Sequence, residues 1–591
     1  MTASETKTCQ NCKNQFTIAS EDFDFYARVS VPPPSFCPEC RLQRRMSWRN
    51  ERSLYKRKDD FSGEEIISSY SPDKPFLVYG AKHWWGDGWD PLNYGVAYDF
   101  SKPFFQQFRR LLECVPLLGL SNFNSVNSEH CNFVDNNKNC YLIFASGYNE
   151  NVYYSNRTQS SKDSMDLLVA NKNELCHECV NCFECYKLLY SSNCKNCTDS
   201  RFLYNCRNCS DCFGCANLVS KNYYIFNKPY SKEGYLKKLV ELGLGSRTEL
   251  QLAHDAFYQD VYLQAIHRYA NIIGSRDVTG DNVNNSKNCH LCFDILRNVE
   301  DCKFLQGSLE VRDNYDGSGQ YKHELSYENV DNDEGNRNIG TLTVYNSSNV
   351  RYSFNCHGSS YLFGCTGLRS KHYCILNKQY TKEKYEKLLP EIIEHMNSLP
   401  YTDKKGCVYK FGEFFPSELS PWAYNETIAQ EYFTLTKAQV VQEGLTWKEP
   451  EGRNYKITKS AADVPDVIQD VPETITQEII GCAHEGKCNE QCITAFRIMP
   501  QELQFYKNLN IPIPTLCPNC RHYQRLKRRN PLKLWHRECL CSGFKSKNGA
   551  YKNTAQHFHG SDTCPNEFET PYTPDGKEII YCEQCYQAEV V

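Results

Sequence analysis

Two sets of cysteines, one near each end of the 591-residue chain, have the spacing that holds a metal ion. Cys9, Cys12, Cys37 and Cys40 form one set, and Cys488, Cys492, Cys517 and Cys520 the other. Each has a pair of cysteines, a gap of 24 residues and a second pair opening a basic segment, CPECRLQRRMSWRN or CPNCRHYQRLKRRN. Four thiolates so arranged are a tetrahedral zinc pattern, and the bound ion supplies folding free energy that a small module cannot draw from its core. A third set, Cys539, Cys541, Cys582 and Cys585, follows in the C-terminal copy. About three zinc ions are therefore expected at the terminal modules. Cys482, Cys564, His557 and His559 are spare donors that the spacing does not assign.

The two modules superpose at an offset of 480 residues: Cys12, Phe16, Cys37, Cys40, Arg41, Arg45 and Arg49 recur as Cys492, Phe496, Cys517, Cys520, Arg521, Arg525 and Arg529. At the register of the third set the N-terminal copy has Asp59, Phe61, Gly80 and His83, a weak donor set. That copy is expected to have lost its second metal and filled the space with Trp84 and Trp85.

Behind each knuckle runs a basic stretch. Arg41, Arg44, Arg45 and Arg49 face Glu51 as the single acid of residues 41–58, and residues 521–537, with Arg521, Arg525, Arg528 and Arg529, contain no acid. Trp48, Tyr55, Tyr523 and Trp535 interleave. Guanidinium groups for phosphates and rings for stacking are what a backbone-led nucleic-acid contact requires, whereas a solvated or internally paired helix face is the plainer alternative.

Two ladders of cysteine at every third residue, Cys176, Cys179, Cys182, Cys185 and Cys206, Cys209, Cys212, Cys215, form a further candidate metal set. Period three does not suit a strand, whose side chains alternate faces, but it suits closely spaced corners. Three readings are open: small buried hydrophobes in a narrow interior, structural zinc, or an iron–sulfur cluster. The iron–sulfur reading is the weakest, because its familiar run is C-x-x-C-x-x-C-x-x-x-C and the region of the second repeat equivalent to the ladders keeps only Cys356 and Cys365.

The elements that must position these groups read as short strands. Tyr (40) and Phe (31) are abundant and Met (5) scarce, which favours sheets over helical bundles. Between 120 and 230, apolar runs recur every ten to fourteen residues, separated by Asn, Ser, Asp and Lys, as in a stack whose units cannot bury a face alone. The block is duplicated at an offset of 150: FNKPYSKEGYLKKL returns as LNKQYTKEKYEKLL. Helices are predicted at 101–114, after Ser231, across 248–270 and at 437–443 between Thr436 and Gly444. SAADVPDVIQDVPETIT reads as an extended linker.

The expected fold is multi-domain and mainly β with helices. An N-terminal zinc module with a degenerate second site covers 1–98, a linker helix 99–119, a Cys-rich β-solenoid-like domain 120–245, a second linker helix 246–269, a second solenoid-like domain 270–398, an aromatic and acidic connector 399–480, and the C-terminal zinc module 481–591. The terminal modules read as treble clefs or zinc ribbons.

The N-terminus has no apolar stretch and no run reaches a membrane span, so a chain free of signal peptide and membrane is expected. With paired cysteines, that gives a reducing, cytoplasmic address. Nucleotide-binding, metalloprotease and serine-hydrolase motifs are missing, and no catalytic residues are assigned.

FCPECRLQRRMSWRNERSLYKR, SPDKPFLVYGAKHWWGDGWDPL, the N-C-x-N-C-x-D repeats and LSPWAYNETIAQEYF together resemble a family of uncharacterised cysteine-rich zinc-ribbon proteins from uncultured small-genome bacteria. The resemblance spans nearly the whole chain and implies zinc but no activity. Its pattern implies cysteines where this chain has Gly80 and His83. The leading expectation is thus a non-enzymatic zinc protein binding nucleic acid, RNA slightly before DNA. A protein-interaction scaffold and an iron–sulfur or thiol redox protein are the alternatives.

Overall fold

The computed structural model describes residues 3–449, 456–541, 553–560 and 562–591. It is mainly β, with 32% strand and 24% helix, and cysteine clusters stand at both termini.

The two end modules repeat one element order. At the N-terminus a hairpin (Glu5–Thr8 with Gln15–Ile18) leads to helices Ser20–Val29 and Pro38–Met46, then a hairpin (Tyr55–Lys58 with Glu65–Ser68) and helix Ala81–Trp84. At the C-terminus Ile480–Gly481 pairs with Ala495–Phe496, helices Pro500–Leu509 and Pro518–Lys527 follow, then Trp535–Glu538 with Glu567–Thr570 and helix Glu583–Val590. Pro38 and Pro518 each open a helix, where a fixed φ helps and the missing N–H is not needed.

Between the modules, short strands pair in parallel with the segment twelve residues further on: Asn132 with Phe144, Leu168 with Val180, Thr198 with Ser210, and in the second block Asp333 with Tyr345 and Ser348 with Ser360. Around an irregularity at Val278 and Gly280 the step becomes eleven and then thirteen, Val278 facing Cys289 and Lys287 facing Glu300. Each block ends alike. Asn222–Ile225 turns back on Lys228–Pro229 before helix Lys232–Glu241, and His372–Ile375 on Lys378–Gln379 before helix Lys382–Ser398. Ser231 and Thr381 cap these helices through Gly234 and Lys384 N–H groups.

Backbone geometry explains the period of three. Asn136, Asn139, Asn151, Asn193, Asn196, Asn205 and Asn208 are left-handed, as is nearly every third residue between them. Asparagine is among the residues that tolerate this region best, which is why the blocks are rich in it. The residue after each left-handed one is buried: Cys140, Ile143, Val152, Leu167, Cys176, Cys179, Cys182 and Cys185 are all within 3% exposure.

Within the predicted 101–114 stretch the helix is Phe104–Cys114, starting three residues late with Pro103 rather than Ser101 at its N-cap, while Lys437–Gln442 is capped by Thr436 as spacing predicts. The stretch 248–270 is helical only over Arg247–Phe257; a wider turn follows, and Ile266–Arg268 pairs in parallel with Ile579–Tyr581. The expected linker is not free chain. Val464, Ile468, Val471 and Ile475, three or four residues apart, are buried in the C-terminal core beside Leu503, Tyr506 and Leu509. Its prolines bend it into short turns that aim these side chains inward.

Candidate metal centres

Each knuckle is built from a strand end and a helix start. Cys9 follows strand Glu5–Thr8, while Cys37 precedes helix Pro38–Met46 and Cys40 lies in its first turn. The Cys37 N–H points at Cys9 Sγ, 3.3 Å away, and Cys12 and Cys37 sulfurs are 3.7 Å apart. A helix N-terminus favours thiolate, because its free N–H groups carry partial positive charge. Hydrogen bonds from Cys37 and Cys40 hold the Cys9 thiol far below its usual range. All four sulfurs lie within 4.8 Å of one another.

The C-terminal knuckle has the same geometry with a different first ligand. Cys482, directly after Ile480–Gly481, takes the place of Cys9, and the Cys517 N–H meets its sulfur at 3.3 Å. The compact quartet is Cys482, Cys492, Cys517 and Cys520, with sulfur separations of 3.9 Å (Cys482 to Cys520) and 4.0 Å (Cys517 to Cys492). Hydrogen bonds from Cys492, Cys517 and Cys520 depress the Cys482 thiol strongly. Cys488, the ligand expected from spacing, sits on the inserted loop. It groups instead with His484, Glu490 and Cys520. The position straight after the strand is the signal that identifies Cys482.

The third set is also redistributed. Cys539, Cys564, Cys582 and Cys585 come together, and the Cys582 N–H meets Cys539 Sγ at 3.1 Å as in the other two knuckles. Cys541 instead groups with His557, His559 and Cys585. A tetrahedral ion with sulfurs at ~2.3 Å has sulfur–sulfur edges of about 3.8 Å. The observed 3.6 to 4.0 Å separations are compatible with zinc.

The corresponding N-terminal site carries an aspartate–histidine hydrogen bond. Asp59 follows strand Tyr55–Lys58 where Cys539 follows its strand, and accepts from the Gly80 N–H at 3.2 Å and the Phe61 N–H at 2.8 Å. His83 Nδ1 lies 2.6 Å from Asp59, and Phe61 stacks on its ring at 5.0 Å. These residues, not the two tryptophans, fill the site. Trp84 is buried against Arg369 and Trp89, and Trp85 is 39% exposed.

The arginines behind the knuckles point into the protein. Arg41 and Arg45 pair with Asp316 at 2.9 Å each, Arg44 with Glu328 at 2.7 Å and Glu413 at 3.0 Å, and Arg49 with Glu51 and Asp331. Arg521 and Arg525 pair with Asp166 at 3.1 and 2.7 Å, Arg525 and Arg528 with Glu178, and Arg529 with Asp294. All but the partly exposed Arg528 are buried. That is the reverse of the solvent-facing arrangement phosphate contact requires.

The cysteine ladders line an interior. Cys176, Cys179, Cys182, Cys206 and Cys212 have no exposed surface. Their sulfurs lie near carbonyls nine residues on, such as Cys179 Sγ to Leu188 O at 3.2 Å and Cys209 Sγ to Leu218 O at 3.3 Å. Burial pushes the Cys215 thiol up to about 12. Among the described residues none of the eight ladder cysteines (176, 179, 182, 185, 206, 209, 212, 215) joins a three- or four-ligand group. No helix among those residues is long and apolar enough to cross a membrane.

No family model and no curated protein matches the chain. A solved structure of a proposed acetyltransferase from Desulfovibrio desulfuricans G20 aligns at 8% identity with a TM-score of 0.10, covering 48% of this chain and 85% of that one. At that score the likeness carries no argument.

Proposed function

We propose that the protein is a non-enzymatic, zinc-organised scaffold: two short-coil β-solenoids, each clamped by a treble-clef module from the opposite end of the chain. The observation that carries this reading is a duplicated docking contact. Arg41 and Arg45 meet Asp316, and Arg45 also meets Glu328; Arg521 and Arg525 meet Asp166, and Arg525 also meets Glu178. The arginines are related by the module offset of 480, and the acids by the repeat offset of 150. The rings beneath follow suit, Phe304 under Arg41 at 4.9 Å and Tyr154 under Arg521 at 4.8 Å. The arginine runs thus serve assembly, which leaves the outer faces of the stacks for a protein partner. Zinc at the three sulfur quartets would fix the helix that presents each set of docking residues.

Retention on immobilised RNA and DNA across a salt series tests the choice of partner. The scaffold reading expects no salt-sensitive retention, because the guanidinium groups are committed inside. Binding with a steep salt slope, lost on changing Arg44, Arg45 and Arg49, would restore the nucleic-acid reading.

A further inference from the structure

We propose that the C-terminal module holds two metal ions bridged by the Cys585 thiolate. The inference rests on zinc occupying the third quartet and adds a second ion beside it, held by Cys541, His557, His559 and Cys585. The four donor atoms lie within 4.8 Å of one another, and Cys585 belongs to both groups.

Each histidine is oriented for this role by a partner on its outer nitrogen. His557 Nε2 is 2.9 Å from Glu589 Oε1, and both side chains are completely buried. The carboxylate accepts a hydrogen bond from Nε2–H, which leaves Nδ1, 2.9 Å from Cys541 Sγ, with its lone pair facing the sulfurs. His559 uses the opposite ring edge: Nδ1 donates to the Asp562 carbonyl at 2.7 Å, and Nε2 faces Cys541 and Cys585 sulfurs at 3.3 and 3.4 Å. Anchoring the outer nitrogen by an acceptor is how metal-binding histidines are generally held. Glu589 also accepts from the Thr554 N–H and hydroxyl and the Ala555 N–H, which ties the histidine segment to the last helix. Cys585 and Glu589 are four apart on that helix, so one face supplies both the bridging sulfur and the orienting carboxylate.

Charge supports sharing. Five thiolates and two neutral imidazoles around two dications leave one net negative charge, in a pocket closed by Ile266, Tyr581 and Tyr586. Two separate sites would require an eighth donor, and the shared sulfur removes that need.

Elemental analysis of the full chain purified with zinc tests the proposal. The wild type should carry four ions, His559→Ala three, and Cys585→Ser two. Exchange with cadmium-113 gives a readout on the unmutated protein: the module should show one resonance typical of four sulfurs and one of mixed sulfur and nitrogen, mutually split through the shared thiolate. Three ions in the wild type, unchanged by His559→Ala, would overturn the bridge while leaving the third quartet standing. Two ions, unchanged by Cys582→Ser, would overturn the third quartet as well.

Discussion

Arg45 donates to Asp316 across 2.9 Å, and both side chains are fully buried although 271 residues separate them in sequence. The N-terminal module is thereby fixed to the second β block, and Arg525 fixes the C-terminal module to the first block in the same way. The chain therefore closes on itself crosswise. Its two halves share one interface design, in which a guanidinium from the second turn of a knuckle helix meets an aspartate and a glutamate twelve residues apart. Apolar contact accompanies it: Phe25 stacks on Tyr315 at 3.8 Å, while Leu503 and Tyr506 pack with Met165 and Leu189.

Removing Arg45 leaves Asp316 to Arg41 and Glu328 to Arg44 and the buried network one positive charge short, at a cost of about 3–5 kcal/mol. Arg45→Ala is expected to lower the free energy of urea unfolding by that amount, with a lower midpoint at unchanged slope. Arg528→Ala, which removes a partly exposed guanidinium from Glu178, should cost less than about 1 kcal/mol. Equal losses in urea unfolding of the two variants would contradict the docking role of Arg45.

The second quartet makes a sharp distinction between neighbouring cysteines. Cys482→Ser should release one zinc ion and loosen helix Pro518–Lys527, whereas Cys488→Ser should leave the metal content unchanged. Metal analysis together with limited proteolysis reads both effects. Loss of an ion from the Cys488 variant alone would reinstate the ligand expected from spacing.

At the N-terminal position that carries no such cluster, Asp59 does the work of a ligand set. It is 1% exposed and accepts from two backbone N–H groups as well as His83. Asp59→Ala leaves those donors without acceptors, at about 1–3 kcal/mol for each buried group. Thermal unfolding should show the loss while the zinc count stays that of the wild type.

Much of this organisation was legible before folding. The C-x-x-C and N-x-x-N periods carry the three-residue corners, because left-handed backbone selects asparagine and a narrow interior selects small side chains. Cys9, Cys12, Cys37 and Cys40 stand where their spacing puts them. The arginine partners were not legible: Asp316, Glu328, Asp166 and Glu178 lie hundreds of residues away, and a basic run reads the same whether it faces water or a buried carboxylate. Cys482 was obscured by the loop of residues 483–491, which supplies Cys488 at a more familiar spacing. His557 and His559 lacked a signal because their partner, Glu589, is brought in by the last helix. The Asp59–His83 pair shows a site refilled by polar chemistry, where sequence alone pointed to tryptophan.

Acid should weaken the second block through His323. This side chain is 2% exposed in the interior, and its Nε2 accepts from the Asn338 side chain at 3.2 Å, which requires the neutral ring. Burial lowers its pKa to about 3, against ~6.5 in the unfolded chain. The unfolded state therefore takes up the proton first. The contribution of His323 is complete above pH ~6.5 and is lost as pH falls toward about 3, at about 1.4 kcal/mol per pH unit. His323→Asn substitutes a residue that already lines this interior at Asn314, Asn329 and Asn332. Urea unfolding of both proteins between pH 7 and 4.5 should show the wild type losing stability more steeply, by one proton. Parallel curves would mean that His323 is charged, or solvated, in the folded chain.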